Sequence, residues 1–193
     1  LPSTGKVRLR LTIKGENHQE LESILQQAEE EVVSSISEFV YGYDNDILES
    51  KIGEMLLKEK WTIGTAESCT GGYLSHLISS VSGSSAYYKG SIVSYANEIK
   101  QHLLKVNYDT LENVGAVSEQ TVLQMLDGAL QQLNVDVAIA ISGIAGPTGG
   151  TEEKPVGTVF IGVGTKDKKV VRHFVFTNNR ERKSFNHLPL ARQ

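Results

Sequence analysis

Val135-Asp136-Val137-Ala138-Ile139-Ala140-Ile141 is apolar at every position but one. A strand with one wet face would alternate, so this run reads as a strand covered on both faces, the kind found inside a sheet sandwiched between helices. Its neighbours agree. Upstream, Ser118 stands where an N-cap is wanted, ahead of Val122, Met125, Leu126, Ala129, Leu130 and Leu133 at helical spacing. Downstream, beyond a loop of glycine and small residues, residues 158–165 and 170–176 flank Lys166-Asp167-Lys168-Lys169, a predicted hairpin.

Further toward the N-terminus, strands and helices continue to alternate. Residues 91–95 read as a strand followed by a helix through Ile99, Leu103 and Leu104. Residues 61–65 read as another, followed by a helix lined by Leu74, Leu77, Ile78 and Val81. Asp46-Ile47-Leu48-Glu49 offers a capping box for a helix whose apolar face is Ile47, Ile52, Met55 and Leu56. The fold class expected for residues 44–193 is therefore α/β, a layered α/β/α domain with a mostly parallel sheet and an antiparallel edge. Residues 1–43 read as a separate small α+β segment. A period-two strand over 6–14 leads to a helix carrying Leu21, Ile24, Leu25, Ala28, Val32 and Ile36, and then to a short strand over 39–43.

A chain of 193 residues with 39% hydrophobic and 22% charged residues can bury a real core. Its net charge of −4 argues against a nucleic-acid coat. The single cysteine, Cys69, excludes an internal disulfide and suits a reducing, cytoplasmic compartment. No apolar run approaches the ~20 residues needed to cross a bilayer, and no signal peptide is visible. Leu1-Pro2-Ser3-Thr4-Gly5 reads as linker without a starting methionine, so an upstream segment is expected.

In α/β sheets, ligands collect beyond the carboxyl ends of the strands. Three loops there are rich in small or polar residues: Glu67-Ser68-Cys69-Thr70-Gly71-Gly72, the loop opening at Tyr95-Ala96-Asn97, and Ser142-Gly143-Ile144-Ala145-Gly146-Pro147-Thr148-Gly149-Gly150. Glycines there let main-chain N–H groups approach an anion, although each could equally serve only a tight turn. The first loop fits neither the Walker pattern nor G-x-S-x-G. It does place Ser68 at a strand-to-helix turn, where flanking N–H groups could hold an oxyanion. Taken alone, Ser68 could be a plain N-cap. None of the five histidines has motif context as its base. Lys100 with Tyr95 could serve instead if desolvation lowers the lysine pKa. The bland alternative is a surface lysine and a core tyrosine, and spacing does not decide between them. No Cys/His cluster suggests a metal site.

These motifs together resemble the C-terminal domain of the CinA family, named for competence and damage inducibility and including stand-alone nicotinamide-mononucleotide deamidases. The resemblance rests on Thr65-Ala66-Glu67-Ser68-Cys69-Thr70-Gly71-Gly72, Gly83-Ser84-Ser85-Ala86, Tyr95-Ala96-Asn97-Glu98-Ile99-Lys100 and Gly115-Ala116-Val117-Ser118-Glu119. Ser142-Gly143-Ile144-Ala145-Gly146-Pro147 and Glu152-Glu153-Lys154-Pro155-Val156-Gly157-Thr158-Val159 complete it. It implies an amidohydrolase that converts nicotinamide mononucleotide and water to nicotinate mononucleotide and ammonia, in pyridine-nucleotide salvage, without metal or cofactor. Ser68 would be the nucleophile, with Tyr95 and Lys100 as its partners. Cys69, Thr70, Gly71, Gly72, Ser84, Asn97, Ser142, Gly143, Ala145, Gly146 and Arg180 would line the substrate, Arg180 holding phosphate. Residues 1–43 resemble the KH-like segment of long members, but no G-x-x-G loop occurs there, so nucleic-acid binding is not expected. The resemblance also implies a homodimer and an upstream domain resembling molybdopterin-binding proteins. A non-catalytic nucleotide-sensing or assembly module acting in DNA uptake is the alternative.

Overall fold

The computed structural model of the chain describes residues 2–3 and 6–176. Its described residues up to Asp46 gather into one compact unit, and those from Ile47 onward into another.

In the first unit, the short antiparallel strands β1 (Pro2–Ser3) and β2 (Lys6–Val7) precede helix α1 (His18–Ile36). Asn17 caps α1, its side chain accepting the Glu20 N–H at 3.4 Å. The strand expected over 6–14 forms only at Lys6–Val7, and residues 8–15 continue without strand pairing. Alternation did not suffice there, because a strand is held by a neighbour's main chain, and Leu9 and Leu11 are 60% and 39% exposed. Nor is there a strand at 39–43. A 3-10 turn over Ser37–Phe39 leads to a second turn, closed by Asp46 N–H to Tyr43 O at 2.9 Å and Tyr43 N–H to Asp46 Oδ2 at 3.0 Å. These local bonds use main-chain groups that a ladder would have needed.

The second unit contains α2 (Leu48–Glu59), β3 (Ile63–Glu67), α3 (Tyr73–Ser79), β4 (Tyr88–Val93), α4 (Asn97–Leu104) and α5 (Tyr108–Asn113). It continues with α6 (Glu119–Gln132), β5 (Val137–Gly143), β6 (Thr158–Gly164) and β7 (Lys169–Val175). Among the described residues these strands form one sheet in the order β4-β3-β5-β6-β7. β3 is parallel to both β4 and β5, and the β5–β6–β7 side is antiparallel. The antiparallel edge is the expected hairpin, closed by Thr165 N–H to Lys168 O at 2.8 Å.

The sheet is covered on both faces. On one, Ala66, Ala138 and Ala140 pack with Val122, Met125, Leu126 and Ala129 of α6. Small residues on the strands let this helix lie close. On the other face, Ile63, Ile141 and Val159 meet Leu56 of α2 and Leu74 and Ile78 of α3. β3 lies inside the sheet, between β4 and β5, and is buried along its whole length.

Two local readings are corrected by the structure. Asp46 does not cap α2; Ile47 occupies that position without a side-chain bond, and the Asp46 carboxylate closes the Tyr43 turn instead. Met55 also leaves the apolar face, at 68% exposed. In α4, Ile99 and Leu103 face outward, 37% and 49% exposed, while Lys100 and Leu104 are each 1% exposed. α4 lies so close to α6 that a Cβ at Gly128 would collide with the main chain of Leu104. That contact fixes the helix with Lys100 turned inward, and the site depends on it.

Candidate active site

The carboxyl ends of the two parallel neighbours converge just past β3. Ser68 N–H extends the β3–β5 pairing by donating to Ile141 O at 3.0 Å, and Ser94 N–H donates to Glu67 O at 2.7 Å. The chain then turns tightly, with Gly71 N–H on Ser68 O at 3.1 Å and Tyr73 N–H on Thr70 O at 3.1 Å. Gly71 and Gly72 take φ of +60° and +97°, a left-handed conformation that side-chain-bearing residues rarely adopt. The turn thus presents Ser68 at the strand end with α3 beginning immediately after it.

Lys100 reaches this turn from the first part of α4. Its Nζ lies 3.0 Å from Ser68 Oγ, 2.7 Å from Ser94 O and 3.4 Å from Tyr95 O. Both partners are enclosed, with Ser68 at 8% exposed and Lys100 at 1%. Burial pushes the Lys100 pKa below its ordinary value, with a smaller opposing contribution from the Cys69 sulfur. The bland reading of a surface lysine therefore fails. Tyr95 is not a core residue either: it is 62% exposed, and its contact with Lys100 here is through the main-chain carbonyl.

Cys69 stands beside the serine with different electrostatics. Burial pushes its thiol up to about 11, only partly countered by the Cys69 and Thr70 N–H groups and by Lys100. A thiol held protonated at neutral pH is a poor nucleophile.

Other residues from the sequence reading fall at varying distances from this centre. Cys69, Thr70, Gly71 and Gly72 form the turn itself. Gly143 lies close to it, since a Cβ there would come within 3.1 Å of Cys69 Sγ. Ser142 is 1% exposed near the end of β5, and its hydroxyl donates to Ala116 O at 2.7 Å, which ties that strand to the loop before α6. Ala145 and Gly146 are half-buried along the following loop, Ser84 opens a short 3-10 turn and Asn97 is exposed at the start of α4. Among the described residues no hydrogen bond joins these five to Ser68 or Lys100. Arg180 lies outside the described residues.

Sequence reasoning passed over Glu67. It was placed in the loop, but β3 runs two residues further than expected and ends on it. The Glu67 carboxylate is fully buried and accepts from Thr70 Oγ1 at 2.7 Å and from the N–H groups of Gly72, Leu74 and Ser75 at 3.1, 3.0 and 2.8 Å. The available signal was an acidic residue at a strand end, just before a glycine turn and a helix start. Among the described residues no three His, Cys, Asp or Glu side chains are placed to hold a metal ion. No helix there is long and apolar enough to cross a membrane.

Comparison with known proteins gives concordant results for both parts of the chain. Residues 45–187 match the family described as the CinA C-terminal domain, and residues 1–42 match the damage-inducible protein CinA KH domain. A CinA-like protein of Cytophaga hutchinsonii is 49% identical over 181 residues, which is 94% of this chain and 43% of that protein. A CinA-like protein of Prochlorococcus marinus is 44% identical over 179 residues, 92% of this chain and 41% of that protein. This chain spans less than half the length of these curated relatives. A solved competence/damage inducible protein from Agrobacterium tumefaciens superposes with a TM-score of 0.70 at 35% identity, covering 75% of this chain and 89% of that one. A competence-damaged protein superfamily member from Escherichia coli gives a TM-score of 0.70 at 31% identity, covering 75% and 86%.

Proposed function

The chain belongs to the CinA family, and from that premise we propose that it is an amidohydrolase acting on nicotinamide mononucleotide, with Ser68 as nucleophile and Lys100 as base. The observation that carries the reading is the buried Lys100 Nζ at 3.0 Å from Ser68 Oγ. Placing a lysine beside a serine in the interior is costly, and a module that only bound partners would have no use for it.

The proposed reaction is acyl transfer. A neutral lysine has two N–H bonds and one lone pair. With the N–H bonds held by Ser94 O and Tyr95 O, the lone pair of Lys100 faces Ser68 Oγ. Lys100 takes the hydroxyl proton as Oγ attacks the carboxamide carbon. Gly71 N–H is already used by Ser68 O and Gly72 N–H by Glu67, which leaves for the oxyanion the Cys69 and Thr70 N–H groups, otherwise directed at the Cys69 sulfur. Lys100 then gives its proton to the leaving amine and ammonia departs. A water activated by the same lysine resolves the acyl-enzyme to the acid.

Tyr95 contributes its carbonyl in this scheme, so its phenol is not the proton acceptor. Arg180 is the proposed phosphate contact, and Ser84, Asn97, Ser142, Gly143, Ala145 and Gly146 border the rest of the substrate. The chemistry is assigned to residues 44–193, following a KH-like segment over 1–43. A homodimer serving pyridine-nucleotide salvage in the cytoplasm is part of the same proposal. Its test is product analysis with purified protein. Nicotinamide mononucleotide should yield one ammonia per nicotinate mononucleotide, and the riboside, lacking phosphate, should be a poor substrate. Unchanged mononucleotide after prolonged incubation would remove the proposal, and equal turnover of the riboside would remove the phosphate site.

A further inference from the structure

The Glu67 carboxylate is the buried acidic group for which the proposed reaction has no use. It is 0% exposed and receives six donors. Oε2 takes Thr70 Oγ1, Gly72 N–H and Leu74 N–H, while Oε1 takes Ser75 N–H and, at 3.4 Å, the Thr65 and Ser91 hydroxyls. Three of the donors are main-chain N–H groups at the start of α3, groups that have no partner within a helix. A side chain from the strand before the turn thus closes back on the helix after it. Only the Ser68–Gly71 segment in between stays clear of the carboxylate's main-chain bonds.

We infer that Glu67 is a positioning residue, which sets the nucleophile turn so that the Cys69 and Thr70 N–H groups face the developing oxyanion. This rests on the acyl-transfer reading of Ser68. By taking up the first N–H groups of α3, Glu67 also denies a substrate anion that helix end. Both carboxylate oxygens receive main-chain N–H groups, and an acceptor at both ends is what a carboxylate supplies and an amide cannot. Glutamine of the same size would turn an NH2 group against N–H donors whichever way it is flipped.

Glu67→Gln and Thr70→Val test the inference; the second removes one hydroxyl tie at 2.7 Å and leaves the carboxylate in place. kcat is counted per Ser68 that a fluorophosphonate titrates to completion, so that loss of folded protein does not register as loss of rate. E67Q should lower kcat by about 100-fold, the scale of a lost oxyanion donor, with KM within about 3-fold and an unchanged pH profile. T70V should lower kcat by roughly 10-fold with the same signature. If E67Q gives no cooperative melt, T70V decides alone. Retention of kcat within about 3-fold of wild type by each folded variant, or a rise in KM at constant kcat, would overturn the inference. If the wild type fails to turn over nicotinamide mononucleotide, the substrate reading falls separately. The rate of Ser68 phosphonylation, followed by intact mass, then carries the same comparison, with slowing in the variants supporting the positioning role and equal rates overturning it.

Discussion

Lys100 sits 1% exposed with its Nζ on a serine hydroxyl and two carbonyls, and its pKa is lowered chiefly by burial. Activity should therefore rise with pH through an apparent pKa below the ordinary lysine value of about 10.4. Lys100→Arg keeps the charge but does not deprotonate. It should lose about as much activity as Lys100→Ala, at least roughly 100-fold, the range of a lost general base. Ammonia release at several pH values checks both points, and an active K100R with an unchanged profile would leave Lys100 as a fixed charge only. Tyr95→Phe retains the carbonyl and should cost less than about 10-fold, in contrast to the loss expected if the phenol were the general base. Spacing left Lys100 open between a surface residue and a base, but Ser68 and the turn glycines were legible as a candidate turn because strand, turn and helix follow one another there. Glu67 was not, since a two-residue error in where β3 ends moved it from strand to loop.

At the scale of elements, the decisive feature is the rotation of α4. Periodicity pointed to Ile99, Leu103 and Leu104 as its inner face; the structure keeps Leu104 inside but turns Ile99 and Leu103 outward and Lys100 inward. Pattern reasoning assigns apolar residues to the interior, and it fails where an ionisable residue such as Lys100 is buried. The contact with α6 that holds this rotation was equally invisible, because Gly128 in mid-helix reads only as a weak helix former. In a free helix Gly128→Ala would gain about 1 kcal/mol from propensity. Here its Cβ meets the Leu104 main chain, and overpacking of about 1–3 kcal/mol should win. G128A should thus melt at lower temperature than wild type and also lose activity, as α4 shifts and carries Lys100 away from Ser68. A stabilised, fully active G128A would contradict the packing that positions the lysine.

For the molecule as a whole, the layered fold was legible because buried β5, amphipathic α6 and the terminal hairpin each carry their own signal. The expected strands at 6–14 and 39–43 were misread because alternation says nothing about a pairing partner. Stability should depend on pH in two separate windows. Thr62 N–H and Oγ1 both lie 2.7 Å from Asp136 Oδ2, and these bonds lower the Asp136 pKa. Its contribution is present above the unfolded value of about 3.9 and lost as pH falls through the folded one, so the melting gap between wild type and Asp136→Ala should close in acid. Lys100 acts at the alkaline end. Between its lowered folded pKa and about 10.4 the unfolded chain binds more protons, so wild type should gain stability relative to Lys100→Met as pH rises. Melting curves across pH measure both, and gaps that stay constant would contradict the assigned pKa directions. The central claim, that Ser68 rather than its neighbouring thiol is the nucleophile of an amidohydrolase, is tested most directly by ammonia release from nicotinamide mononucleotide with Ser68→Ala and Cys69→Ala side by side. The account predicts a folded but inactive S68A and a C69A that retains most of the wild-type rate. An active S68A beside an inactive C69A would contradict it.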